Sequence, residues 1–147
     1  MVERRVARVV VLDEQGAVLL LSARIPRRPD GPDVWFTPGG GVEEGETLAE
    51  AAHREVLEET GGRLGDLGEP VWEHHREFRF EGRQFVQDEW YFVVRTTRYE
   101  VRPTALTEFE AATTTGWRWW QLEDLATTSA RVVPEGLAAL VEGWLAG

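Results

Sequence analysis

The stretch that most restricts the fold runs from Thr47 to Thr60, TLAEAAHREVLEET, which holds neither Gly nor Pro and is closed by Gly61 and Gly62. Thr47 followed three residues later by Glu50 is the pattern in which each side chain satisfies the other's orphan backbone N–H, so a helix is predicted to start there. The glycines supply its stop. On that helix Glu55, Glu58 and Glu59 stand at i, i+3 and i+4 and share one face, at about 100° per residue. Their arc borders the apolar one formed by Leu48, Ala49, Ala52 and Val56. Like charges at this spacing cost an isolated helix roughly 0.2–0.5 kcal/mol per pair, and more beside a core. Two readings follow: a solvated acidic face, or carboxylates gathered around a cation. Carboxylate oxygens suit Mg2+, with Mn2+ next, whereas neighbouring Arg54 supplies a single charge.

Just upstream, Pro38, Gly39, Gly40 and Gly41 form a run whose missing side chains let the backbone approach another group closely. Taken together, Gly40, five residues, Glu46, seven residues, then Arg54-Glu55-Val56-Leu57-Glu58-Glu59-Thr60-Gly61 resembles the Nudix box, G-x5-E-x7-R-E-U-x-E-E-x-G-U. Every fixed letter is present. The last position departs, with Gly62 in place of the usual aliphatic residue, which bears on packing after the helix more than on metal binding. The box covers residues 40–62, about a sixth of the chain, and the order of the surrounding elements looks like that family's whole domain.

The resemblance implies that Glu55, Glu58 and Glu59 ligate divalent ions together with the carbonyl of Gly39, and that Glu46 and Arg54 brace them. A forked guanidinium can fix a carboxylate rotamer, which suits Arg54. It further implies Mg2+-dependent hydrolysis of a diphosphate linkage by metal-activated water. Relatives often add an acid from a late loop; Glu108 is preferred here, with Glu110 and Glu89 as competitors. Arg24, Arg76 and Arg79 are candidates for phosphate contacts, although Arg is commonly a solvated strand residue. Trp35, Phe36 and Phe85 are candidates for stacking on a base, while Trp117, Trp119 and Trp120 suit a core or an interface. His53, His74 and His75 read as structural or exposed.

Elsewhere Val6 to Leu12 and Ala17 to Leu21 read as a hairpin around Asp13-Glu14-Gln15-Gly16. Arg27 to Asp33, rich in Pro and Gly, reads as a surface loop. Val71 to Phe80 and Gln84 to Val94 read as a second hairpin, and Tyr99 to Gly116 as a long loop. A short aromatic strand, Trp117 to Trp120, leads into Gln121 to Leu125, and Leu137, Leu140, Val141, Trp144 and Leu145 predict a final amphipathic helix. The expected architecture is a single α/β (α+β) domain over residues 1–147, a Nudix-like α/β/α sandwich with a mixed sheet.

Sixteen Lys and Arg against 26 Asp and Glu give a net charge of -10, which disfavours long nucleic acid as a partner. The start of the chain lacks the apolar run of a signal peptide and no span reaches membrane length, so a cytoplasmic protein without a membrane partner is expected. With no Cys, there is no disulfide, thiolate metal site or cysteine nucleophile. That also disfavours isopentenyl diphosphate isomerase, a different enzyme of the same fold. The substrate stays open among nucleoside triphosphates, ADP-ribose-like sugars and dinucleoside polyphosphates, with nucleoside triphosphates first to test. The alternative is a non-catalytic nucleotide-binding sensor of Nudix fold. A homodimer contact through the aromatic C-terminal region is a further expectation.

Overall fold

A computed structural model of the chain describes residues 1–24 and 30–147. The strands are β1 (Val2–Leu12), β2 (Val18–Ala23), β3 (Val34–Phe36), β4 (Gly39–Gly41), β5 (Trp72–Phe80), β6 (Arg83–Arg95), β7 (Thr114–Trp120) and β8 (Arg131–Val133). The helices are α1 (Leu48–Thr60), α2 (Glu108–Thr113), α3 (Leu122–Thr127) and α4 (Leu137–Ala146). The strands form one sheet in the order β5-β6-β1-β2-β3-β8, with β4 on β1 and β7 on β2. β1 runs parallel to β6 and antiparallel to β2 and β4, so the sheet is mixed.

Strand alternation sorts the core into two layers. Val9 and Val11, Leu19, Phe92 and Val94, and Trp119 join Ala51, Ala52 and Val56 of α1 on one face. Their alternates, Val10 and Leu12, Val18 and Leu20, Tyr91 and Val93, and Trp120, join Leu125 of α3 with Leu137 and Val141 of α4 on the other. The α/β/α sandwich is therefore written in the parity of four strands. The long aromatic and β-branched β6 lies against β1 along its full length, Val2↔Phe85 to Leu12↔Arg95.

The expected long loop from Tyr99 to Gly116 is more ordered than its sequence suggested, since it contains α2 and β7 begins at Thr114. Its first part closes the end of α1: the N–H groups of Arg102, Thr104 and Ala105 donate to the carbonyls of Thr60 and Glu58, and the Thr104 hydroxyl donates to that of Leu57. The carbonyls of Glu58 and Thr60 lie beyond the reach of the helix's own donors, whereas that of Leu57 also accepts from the Gly61 N–H. Such bonds run from backbone groups and leave no period in the side chains. Gly62, the departure from the box, is explained by the same segment. A Cβ there would overlap the Tyr99 hydroxyl, which instead hydrogen-bonds Thr60 at 2.8 Å. The ring thus occupies the space an aliphatic residue would need. Positions 27–29 of the expected Arg27 to Asp33 loop lie outside the described residues.

Candidate active site

α1 is held at its start by the reciprocal Thr47–Glu50 bonds and at its end by Gly61, whose N–H donates to the Leu57 carbonyl. Its Ala51, Ala52 and Val56 anchor it on the sheet, which presents the adjoining acidic arc to β4. β4 can come close because Gly40 has no side chain: a Cβ would sit 2.6 Å from the Glu55 carboxyl. At Gly39 a Cβ would overlap the Ala7 carbonyl oxygen of β1. The glycine run therefore lets a strand lie directly against carboxylates.

Arg54 organises the outer part of the site. Its Nε and Nη2 donate to both oxygens of Glu46, at 2.7 and 2.9 Å, a forked pair. Nη1 donates to Glu55 at 2.9 Å and to Glu58 at 3.4 Å, and Nη2 also to the Gly41 carbonyl at 2.9 Å. Glu46 is accordingly held below the ordinary carboxylate range by the Arg54 bonds.

Deeper in, the carboxylates of Glu55, Glu59 and Glu110 each offer an oxygen within 4.8 Å of the others. Glu59 is 6% exposed and accepts from the Gly39 N–H at 2.8 Å. Burial pushes its pKa up to about 8, and the nearby charge of Glu55 adds to this, while the Gly39 N–H and Arg8 only partly offset it. Glu55 is also raised, by burial first, with Arg54 opposing. Among the described residues no cation hydrogen-bonds Glu59. A buried, crowded, all-oxygen donor set short of positive charge fits a hard divalent cation.

Glu110, not Glu108, is the acid from the later segment that reaches this cluster; Glu108 is exposed on α2. A signal for it was present, because Thr107 and Glu110 repeat the pattern of Thr47 and Glu50 and make the same reciprocal bonds. Glu89 lies apart, buried on β6, where it accepts from Gln87, Tyr91 and Arg76. Burial works against its charge, yet Arg8, Gln87 and Tyr91 outweigh it and hold Glu89 below the ordinary range.

Arg8 escaped the sequence reading. From the middle of β1 its Nη1 donates to the carbonyls of Thr37 at 3.4 Å and Gly39 at 3.3 Å, and its charge acts on both Glu59 and Glu89. It is half-buried, and Glu89, which its charge helps to keep ionised, lines a cavity of about 320 Å³ with His74, Arg76, Tyr91 and residues 131–135. One of three Arg in β1, Arg8 resembles a solvated strand residue until its neighbours are known.

The proposed substrate contacts are scattered. Arg24 and Phe36 share a second groove with Phe109 and Arg131, and Arg76 lines the cavity beside Glu89. Phe85 stacks on Phe78 at 5.2 Å, whereas Trp35 packs edge-on against Trp120 and joins the core rather than an open stacking face. Trp119 and Trp120 are buried, and Trp117 is exposed. Arg79 turns to the Gly82 carbonyl, and His75 bonds Asp88 and Glu77.

The family described as NUDIX domain matches residues 2–140. An RNA pyrophosphohydrolase of Rhodospirillum rubrum is 35% identical over 132 residues, spanning 80% of this chain and 75% of its own. An RNA pyrophosphohydrolase of Rhizobium meliloti is 40% identical over 72 residues, 46% of this chain and 43% of its own. Among solved structures, the NUDIX domain of Shewanella oneidensis NrtR complexed with ADP ribose superposes with a TM-score of 0.73 at 16% identity, covering 99% of this chain and 90% of that one.

Proposed function

The chain belongs to the Nudix family, and from that premise we propose that it is a pyrophosphohydrolase cutting the diphosphate linkage of a small nucleotide, nucleoside triphosphates first, with Mg2+ or, in its place, Mn2+. The observation that carries this reading is the meeting of Glu55, Glu59 and Glu110 within 4.8 Å on a surface backed by Gly39 and Gly40. Glu55, Glu58, Glu59 and the Gly39 carbonyl would hold the cation. Once bound, it would lower the pKa of a coordinated water and neutralise phosphate oxygens.

The protein's own part is positioning. Arg54 keeps Glu55 and Glu58 in one orientation while Glu46 fixes Arg54. Gly39 and Arg8 set the inner wall, the N–H of one aiming Glu59 and the guanidinium of the other bonding the Gly39 carbonyl. Glu110 takes the part the sequence suggested for Glu108, that of an acid supplied from outside the box, adding an oxygen beside those of Glu55 and Glu59 that would face the cation. A second reading, attack on the triphosphorylated 5′ end of an RNA, is favoured by the activity named for the Rhodospirillum rubrum relative.

The test is incubation with Mg2+ and a panel of nucleoside triphosphates, ADP-ribose, dinucleoside polyphosphates and triphosphorylated RNA, following phosphate-containing products. Turnover is expected, falling at least about 100-fold in Glu58→Gln and Glu59→Gln. Tight binding of any panel member without turnover would instead make the chain a nucleotide sensor.

A further inference from the structure

β5 is nine residues long and pairs with β6 on one side; among the described residues no strand pairs with its other side. Its turn to β6 has two residues, Glu81 and Gly82, at φ 50° and 76°. That is the type I′ hairpin, in which the closing pair, here Phe80 and Arg83, exchanges both backbone bonds. Alternation from that pair directs the N–H and C=O groups of Trp72, His74, Arg76, Phe78 and Phe80 towards β6. Those of Glu73, His75, Glu77 and Arg79 face outwards, a row of backbone donors and acceptors suited to another strand.

We propose that this edge joins two copies of the chain, β5 pairing antiparallel with β5 of a second copy about a two-fold axis at Arg76. Written against itself in that register, Glu73 meets Arg79 of the second copy and His75 meets Glu77. On the opposite face Trp72 meets Phe80 and His74 meets Phe78. Cross-strand pairs of opposite charge and of aromatic rings are the units that stabilise such a ladder. Moving the axis one residue back sets Glu73 against Glu77, and one residue forward sets it against Glu81, so of these three registers the charges favour the one centred on Arg76; an axis at Phe78 would carry the pairing past Phe80, where β5 ends. Charged edges discourage pairing when like signs meet; here the order of signs makes the edge complementary to itself.

Glu73, His75, Arg76, Glu77 and Arg79 are all exposed, and Trp72 and Phe78 are half-buried, so the edge is accessible. The one like-charged pair, Arg76 with Arg76, falls on the axis. Each of these guanidiniums lies 3.5 Å from its own buried Glu89 and over its own Phe78 ring at 5.4 Å, which offsets their repulsion. This surface is distinct from the aromatic C-terminal region and does not depend on which substrate the enzyme takes.

Because the chain has no Cys, Arg76→Cys places a single thiol at the axis. In a pair that does not exchange backbone bonds the two Cα atoms stand about 4.5 Å apart, within disulfide reach. At about 100 µM protein, above the micromolar range of small interfaces, air oxidation is expected to yield a reducible cross-linked dimer. Glu77→Cys, off the axis, should cross-link at least about tenfold less. Sedimentation equilibrium on the full chain gives the second arm. Glu73→Arg and Arg79→Glu should each weaken dimerisation about tenfold or more, and the double swap should restore it. A monomeric wild type at that concentration, equal cross-linking of both Cys variants, or a double swap no better than the singles would overturn the proposal.

Discussion

Replacing Arg54 by Lys keeps the charge and loses the fork. A single ammonium cannot reach both oxygens of Glu46, Glu55 and the Gly41 carbonyl at once, as the guanidinium does. Arg54→Lys is expected to lower kcat by about 10–100-fold while KM changes little, the range set by loss of a partner that orients metal ligands. Steady-state kinetics under saturating Mg2+ checks this, and an unchanged kcat would remove Arg54 from the positioning role. Asp13 supplies a residue-scale prediction about stability. It is buried, and burial alone would raise its pKa, but the N–H groups of Ala17 and Gln15 and the Arg98 guanidinium hold it below 3.8. A depressed folded pKa contributes stability that is complete above the unfolded value and is lost as pH falls through the folded one. Asp13→Asn should therefore cost about 1–3 kcal/mol at pH 7, the scale of hydrogen bonds to a charged group. It should also flatten the loss of stability below pH 4, as urea midpoints from pH 7 to 3 would record.

At the scale of elements, α1 and its acidic face were fully readable from the chain, because capping, helical spacing and the stop glycines all pointed the same way. α2 was not read, although Thr107 and Glu110 carry the same signature as Thr47 and Glu50. The difference is length. Thirteen residues of α1 show an apolar face, whereas six residues of α2 bury nothing and show no period. The segment before α2 was opaque for another reason, since its bonds to the end of α1 come from main-chain N–H groups that any residue type supplies. Missing α2 meant missing which of its acids lies beside Glu55 and Glu59, and so Glu108 was preferred although Glu110 is the one within 4.8 Å of them. Thr107→Ala tests that link. Loss of the hydroxyl that accepts from the Glu110 backbone N–H should cost about 1 kcal/mol, and because fraying of the first turn of α2 displaces the backbone that carries Glu110 it should also raise the Mg2+ midpoint of activity several-fold. Thr107→Ser, which keeps the cap, should show neither effect. A stability loss with an unmoved Mg2+ midpoint would take Glu110 out of the site.

Across the whole molecule, charge decides between the two substrate readings. The net charge of -10 opposes a polyanion at every phosphate beyond those at the site. Arginines nevertheless collect near the carboxylates: Arg8 bonds the Gly39 carbonyl beside them, and Arg24 and Arg131 line a groove with Phe109, the neighbour of Glu110. Such a distribution rewards a short cluster of phosphates and penalises a long run of them. The expected result is a kcat/KM for a nucleoside triphosphate at least about tenfold above that for a triphosphorylated RNA of ten or more nucleotides. The salt dependence should agree. Each phosphate neutralised on a single strand adds about 0.7 to the slope of log affinity against log salt. If only the 5′ end is gripped, mononucleotide and RNA should give the same slope. A steeper slope for RNA, together with a higher kcat/KM, would mean that phosphates along the chain find arginines despite the acidic surface, and would move the assignment to RNA ends.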